Sequence, residues 1–327
     1  MKTAVYTSVN AAYLTVARII AKSVKEHHPE WDFILLFNDH TPDNICWEDE
    51  PFDKVVFSEW LDVEEEWRHW AYKYSVIEFC TATKGVMGEY LFDKMGYEAL
   101  VYLDPDTVVF SRLEEVINIL ESKKADVILT PHLTDREYDD EAILSHEIAA
   151  LKHGTFNLGF YAIANRENGR KYLRWWSERL LRYAFIDFEK GIFTDQKWCN
   201  LSPYLFDGIE VLTNRAYNTA TWNMTNRNIT KSEDGKWLVN GNPLRFYHFS
   251  GFGHDFAWAD RELAKFGSKM DGLRELWALY KELYNKNYIS EKMPWKWGTT
   301  SYGKTISPAM RKQIKNKNVL NPYDEVL

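Results

Sequence analysis

The first third of the chain alternates apolar runs with helix-like segments, and that alternation restricts the fold more than any other feature. Thr3 to Ser8 reads as a buried strand, and Asn10 is placed to cap a helix whose apolar positions Tyr13, Leu14, Ala17, Ile20 and Val24 recur at helical spacing. Phe33 to Phe37, Val55 to Phe57 and Ala99 to Leu103 are three further apolar runs, with one long helix expected over about Trp67 to Lys94. Strand and helix in this order predict a mostly parallel sheet flanked by helices, with ligands bound beyond the carboxyl ends of its strands. Further strands are expected at Asp126 to Thr130, Asn157 to Ala164, Ile209 to Leu212 and Leu244 to Phe249. Helices are expected over Glu167 to Tyr183 and about Trp258 to Tyr284, and a hairpin over residues 232–243, which hold an Asp-Gly and an Asn-Gly. One compact domain, 1–257, with a C-terminal helical extension and basic tail, 258–327, is the expected organisation.

Bulk properties narrow the function. With 327 residues, 45% of them apolar, the chain can bury a substantial core. The three cysteines have neither disulfide-framework nor zinc spacing, and no stretch has the length of a signal peptide or membrane span, so a soluble cytoplasmic protein is expected. A formal charge of −8 argues against general nucleic-acid binding, so any anionic ligand must be met by local groups. The tail, with Trp295, Trp297, Lys304, Arg311, Lys312, Lys315 and Lys317, is expected to be solvated, with peripheral membrane contact as the alternative. The 14 tryptophans are either core residues or platforms for sugar rings.

The chemistry concentrates in VYLDPDTVVF, residues 101–110, where a strand runs into two aspartates separated by proline. Residues two apart on extended backbone face the same way, so Asp104 and Asp106 can share one cation. Hard oxygen ligands suit Mg²⁺ or Mn²⁺, and an imidazole from His248, at a second strand end in RFYHFSGF, moves the expectation toward Mn²⁺. Asn157 in FNLGF, and Asp195 and Gln196 in FTDQKW, offer hydrogen bonds suited to sugar hydroxyls. Lys84 is expected near the phosphates of a donor if its helix returns to the sheet, and a solvated helix face is the alternative for it, Lys73 and Glu78. Thr7, Ser8, Asn10 and Tyr13 occupy the first strand-to-helix turn, where a nucleotide base commonly rests, and no glycine-rich phosphate loop is present there.

With YLDPD, FNLGF, FTDQ and HFSG in this order, roughly residues 1–255 resemble glycosyltransferase family 8, whose fold is called GT-A. The resemblance implies a Rossmann-like mixed sheet, a UDP-sugar donor and retained anomeric configuration; a hexose-type sugar is expected to pass to a glycan, lipid-linked or protein-linked acceptor. It implies that Asp104, Asp106 and His248 hold Mn²⁺ against the diphosphate and that Thr7, Ser8 and Tyr13 contact the uridine. It also places Asn157 at the transferred sugar or acceptor, and Gln196 on the face of the anomeric carbon opposite the leaving group. The family's Lys-Pro-Trp continuation of the histidine motif is replaced here by GFGHDF, which leaves Lys84 or His254 as the second phosphate contact. Asp195 is expected to orient the acceptor or stabilise charge on the ring. Two other classes compete: a sugar-phosphate nucleotidyltransferase, which would normally show a glycine-rich basic loop after the first strand, and a noncatalytic carbohydrate-binding protein with structural calcium.

Overall fold

The computed structural model describes residues 1–63, 65–252, 271–289, 294–314 and 321–324. Its centre is a seven-stranded sheet. The chain supplies β1 (Thr3–Val9), β2 (Asp32–Phe37), β3 (Lys54–Phe57), β4 (Ala99–Leu103), β5 (Thr107–Val109), β6 (Val127–Pro131), β7 (Phe156–Ala164), β8 (Ile186–Asp187), β9 (Ile192–Phe193) and β10 (Ile209–Val211). The sheet order is β10-β6-β7-β4-β1-β2-β3. All pairings in it are parallel except those of β7, which is antiparallel to both β4 and β6. Because β7 runs backwards, its first residues lie at the carboxyl end of β4. There the Asp104 amide donates to the Gly159 carbonyl at 2.8 Å, which puts FNLGF against the aspartate pair.

Alternation along β1 sends Ala4 and Tyr6 into one apolar core and Val5 and Val9 into the other. The second core is closed by α1 (Leu14–His27), whose Leu14, Ala17, Ile20 and Val24 are buried as expected, and by α4 (Glu114–Glu121). Tyr13 departs from that expectation: it is 51% exposed and ends a 3-10 turn, Ala11–Tyr13, ahead of α1. Asn10 precedes this turn, but its side chain makes no capping bond.

The long helix expected over residues 67–94 is two helices, α2 (Trp67–Tyr72) and α3 (Val76–Asp93). The break comes from Ser75 and Glu78, which form a reciprocal capping box and restart the helix, with the Ser75 amide donating to Glu78 at 2.8 Å. Glu78 and Lys73, paired with Glu65, are thereby structural. Gly85 brings α3 tight against α5 (Glu167–Tyr183): a Cβ there would lie 2.6 Å from the Ser177 Cα.

A second, three-stranded sheet carries β11 (Thr219–Ala220), β15 (Phe246–His248) and β5 in that order. Instead of one hairpin, residues 229–243 form a small meander of β12 (Ile229–Lys231), β13 (Trp237–Val239) and β14 (Asn242–Pro243). Helix Asp271–Asn287 packs Leu273, Leu276, Trp277 and Tyr280 into a third core with Tyr247 and Phe249. The first part of the helix expected from Trp258 lies outside the described residues. The supposed solvated tail is partly built in: Trp297 is buried, and the buried Arg311 guanidinium donates to the Tyr72 carbonyl at 2.8 Å and the Trp297 carbonyl at 3.3 Å. Lys304 and Lys312 are exposed; Lys315 and Lys317 lie outside the described residues. No helix among the described residues is long and apolar enough to cross a membrane.

One histidine ties the fold to pH. His28 is fully buried, stacks on Trp31 with ring centroids 3.7 Å apart, and accepts the Leu113 amide on Nε2 at 2.9 Å. Burial pushes its pKa down to about 4, against the pull of Glu30. The unfolded chain, with an ordinary imidazole near 6.5, therefore takes up a proton first as pH falls. Stability is fully present above about pH 6.5 and is lost on acidification through the window down to about 4. The urea midpoint should fall across that window, and His28→Gln should flatten part of the slope; an unchanged slope in the variant would refute this assignment.

Candidate active site

The aspartate pair and the histidine meet because the two sheets share a corner. β4 delivers Asp104, Pro105 turns the chain, and Asp106 precedes β5, which pairs antiparallel with β15 so that His248 lies opposite Thr107. His248 Nε2 is 3.0 Å from Asp106 Oδ1 and 3.8 Å from Asp104 Oδ2, and one ligand atom from each residue lies within 4.8 Å of the others. Burial disfavours the imidazolium, but the charges of Asp106 and Asp104 outweigh it and raise the His248 pKa. Burial likewise disfavours the Asp106 carboxylate, and His248 overrides it and holds the pKa below the ordinary range. Two carboxylates and one imidazole around a point, the carboxylates partly exposed, are a donor set that fits Mn²⁺ with positions left for a ligand.

Gly159 makes this approach feasible. A Cβ at that position would stand 2.6 Å from His248 Cε1 and 2.7 Å from Asn157 Oδ1. An isolated glycine inside a strand pattern is a known sign of such an approach, so FNLGF carried the signal. Gly159→Ala should displace the imidazole and lower Mn²⁺ affinity at least about tenfold with the fold retained, because each outer support of a metal site is typically worth 10- to 100-fold. Titration calorimetry with Mn²⁺ reads this; unaltered affinity would remove Gly159 from the site.

Lys84 is not a solvated helix residue; its helix returns it to the acids at the end of β4. It is buried, with Nζ 2.7 Å from Asp195 Oδ2, 3.2 Å from Asp104 Oδ1 and 3.3 Å from the Leu158 carbonyl, and it lies 4.1 Å from the Tyr102 ring centroid. Burial works against its charge, but Asp104 and Asp195 together raise its pKa, so it stays an ammonium. Tyr102 also donates to Asp104 Oδ1 at 2.8 Å, and its ring stacks on Tyr161, whose hydroxyl meets that of Tyr6. The three tyrosines are neighbours across β1, β4 and β7 and form a rigid floor under the acids.

Asp195 and Gln196 reach the same place. Thr194 Oγ1 donates to Asp195 Oδ1 at 3.1 Å, and Thr194 itself has φ of 42°, a sparsely populated region in which strain is held at a functional corner. Gln196 Nε2 donates to the His153 carbonyl at 3.1 Å. Asn157 Oδ1 accepts from the Gly159 amide and from Asn218 Nδ2, both at 3.1 Å. Gln196, Asn157, Asp104, Asp106 and His248 line one cavity of about 370 Å³, together with Trp222 and three histidines, His132, His146 and His153.

At the first turn the candidates separate. Tyr13 lies within range of the acids' charge: burial first, then the charges of Asp106, Cys80 and Asp104, raise its pKa. Thr7 Oγ1 is buried and has no hydrogen-bond partner among the described residues. Ser8 Oγ is turned inward, donating to the Cys80 carbonyl at 2.7 Å and accepting from Asn38 Nδ2 at 2.8 Å. Asn10 is buried, and its carbonyl accepts the Tyr13 amide. Asp39, unnoticed in the sequence, lies two residues beyond β2 and takes the Ala11 amide at 3.1 Å. His254 lies outside the described residues.

Sequence reading missed the cavity histidines as well. His146 sits in a π turn, Ile143–Glu147, and its Nδ1 is 2.8 Å from Glu137 Oε1, which also accepts from Thr225 Oγ1 at 2.6 Å. A carboxylate in this position fixes the ring orientation. No local pattern joins residues 137, 146 and 225, so only the fold reveals them.

No protein-family model matches the chain. In Bacillus subtilis (strain 168), the uncharacterized protein YfnD is 26% identical over 178 residues, 54% of this chain and 54% of its own length. The uncharacterized protein YfnF of the same organism is 31% identical over 99 residues, 30% of this chain and 33% of its own. The chain thus spans about half the length of YfnD and a third of that of YfnF. Among solved structures, the galactosyltransferase LgtC with donor and acceptor sugar analogues superposes with a TM-score of 0.49 at 16% identity, covering 90% of this chain and 98% of LgtC. A glycosyltransferase involved in glycosylating the major capsid of PBCV-1 does so with a TM-score of 0.42 at 10% identity, covering 81% and 98%.

Proposed function

We propose that the protein is a metal-dependent glycosyltransferase that moves a hexose from a nucleotide sugar, UDP-linked, to a carbohydrate-bearing acceptor with retention of configuration. The observation that carries this reading is the convergence of Asp104, Asp106 and His248 at the mouth of a cavity lined by amides, imidazoles and Trp222. These three residues would hold Mn²⁺, which when bound neutralises the charge on a diphosphate leaving group. The half-exposed Tyr13 ring, within range of the acids' charge, offers a face for the base, with Thr7 near the end of β1 and Asn10 just after it. Ser8, whose hydroxyl is already engaged, shapes this subsite from behind.

Asn157 and Gln196 would bind sugar hydroxyls, and their hydrogen bonds to protein fix them before the sugar arrives. Such preorganisation is what makes positioning and electrostatics the main catalytic terms when little covalent help is supplied. Asp195, oriented by Lys84 and Thr194, presents negative charge toward the side where positive charge develops on the ring. In this reading residues 1–257 are the catalytic unit and 258–327 an extension whose described residues pack back onto it. The three free cysteines suit the reducing cytoplasm.

The test is incubation with UDP-glucose, UDP-galactose and UDP-N-acetylhexosamines, with Mn²⁺ or with chelator, and measurement of released UDP. Slow Mn²⁺-dependent release from one donor is expected. Pyrophosphate exchange instead would indicate a nucleotidyltransferase, and no turnover of any donor would leave a binding protein.

A further inference from the structure

A second pocket, of about 290 Å³, opens where the C-terminal segment lies on the end of β2. Its walls come from two distant stretches: His40 and Arg68 from the body of the molecule, and Lys296, Trp297, Thr299 and Tyr323 from the segment. Asp39 joins the two, accepting the Ala11 amide on Oδ2 and the Lys296 amide on Oδ1 at 2.9 Å, while Trp295 Nε1 donates to the Asn38 carbonyl at 3.0 Å.

The charge in this pocket is one-sided. An arginine, a lysine and a histidine line it and no carboxylate does. The acids nearby are already engaged: Glu59 by Lys296, Asp324 by Ser301 and Asn321, and Glu66 by His69. Arg68 is exposed and makes no ion pair or hydrogen bond through its guanidinium among the described residues. Two donors in the wall, Trp297 Nε1 and Tyr323 Oη, are buried without an acceptor among the described residues. A buried donor with no acceptor is costly, and these two belong to residues that line the pocket.

We propose that this pocket is an oxyanion site for the phosphate class, with Arg68 as its bidentate anchor, and that the bound anion fastens the C-terminal segment to the sheet edge. A guanidinium matches two oxygens of a tetrahedral anion at once, and Lys296, whose ammonium is paired with Glu59, and Thr299 line the same pocket. In a chain of net charge −8 such an anion has to be met by a local cluster of this kind. The site is separate from the aspartate pair and independent of the transferase reading.

Its test uses the full chain in metal-free buffer, titrated calorimetrically with inorganic phosphate and, in a second arm, with glucose 1-phosphate, at ionic strength matched with NaCl. Saturable binding is expected, at least tenfold weaker in Arg68→Gln and unchanged in Asp106→Asn, with a phosphate-dependent rise in melting temperature that Arg68→Gln removes. Tighter binding of the sugar phosphate makes the natural ligand a phosphomonoester; equal or weaker binding makes it the free anion. No saturable binding, binding that survives in Arg68→Gln, or binding lost in Asp106→Asn would overturn the proposal.

Discussion

Asp106→Asn is expected to lower Mn²⁺-dependent UDP release by about 10³-fold or more while leaving the melting temperature nearly unchanged. The asparagine keeps the size of the side chain and an oxygen able to accept from His248 Nε2, now 3.0 Å away, so the corner between β5 and β15 should hold. What is lost is one of the two formal charges facing the shared point. Removing a single preorganised electrostatic contact to a developing anion typically costs 10²- to 10³-fold. Here the same change also weakens the metal site itself, so a barrier increase of about 4 kcal/mol is reasonable. Asp104→Asn should act in the same direction but also loosen the floor, because Asp104 accepts from both Lys84 and Tyr102. Steady-state rates across a Mn²⁺ series, together with circular dichroism and thermal melting, separate the two effects. Turnover within tenfold of the parent at saturating Mn²⁺ would show that Asp106 does not serve the reaction.

Much of this architecture is visible in the sequence because a doubly covered sheet demands it. β1, β2, β4 and β7 are buried on both faces, so they read as mostly apolar runs, with few polar residues between. Strand direction leaves no such mark: β7 looks like any buried strand, yet its reversal is what sets Gly159 beside Asp104. The break between α2 and α3 was written in Ser75-Val-Ile-Glu78, but the apolar periodicity continues across it and hides the restart. The aspartate pair and His248 stood out because each acidic or basic group ends an apolar strand, where polar side chains need a purpose. Glu137 and His146 carried no comparable flag. Their meeting depends on a π turn and a loop whose placement is tertiary. Lys84 shows the limit most clearly: helical spacing says which face a residue is on, not what stands opposite that face.

Lys84→Met should be the most destabilising of these changes. The ammonium is almost fully buried between two carboxylates, one of them, Asp195, equally buried. Removing the cation leaves Asp195 charged and cut off from water beside the partly exposed carboxylate of Asp104, and breaking a buried pair such as Lys84–Asp195 costs about 3–5 kcal/mol. Urea unfolding near pH 7 should register that loss. The gap between variant and parent should narrow on acidification, because protonating the stranded carboxylates removes the penalty. Adding Asp195→Asn should recover part of the stability at neutral pH, since one uncompensated charge is then gone. Activity should fall in both variants and return in neither, because the ammonium that holds Asp104 from behind is gone in both and the charge of Asp195 is either unanchored or removed. If Lys84→Met is as stable as the parent, the ammonium is not what holds the two acids together, and the preorganisation assigned to the floor of the site would have to come from Tyr102 alone.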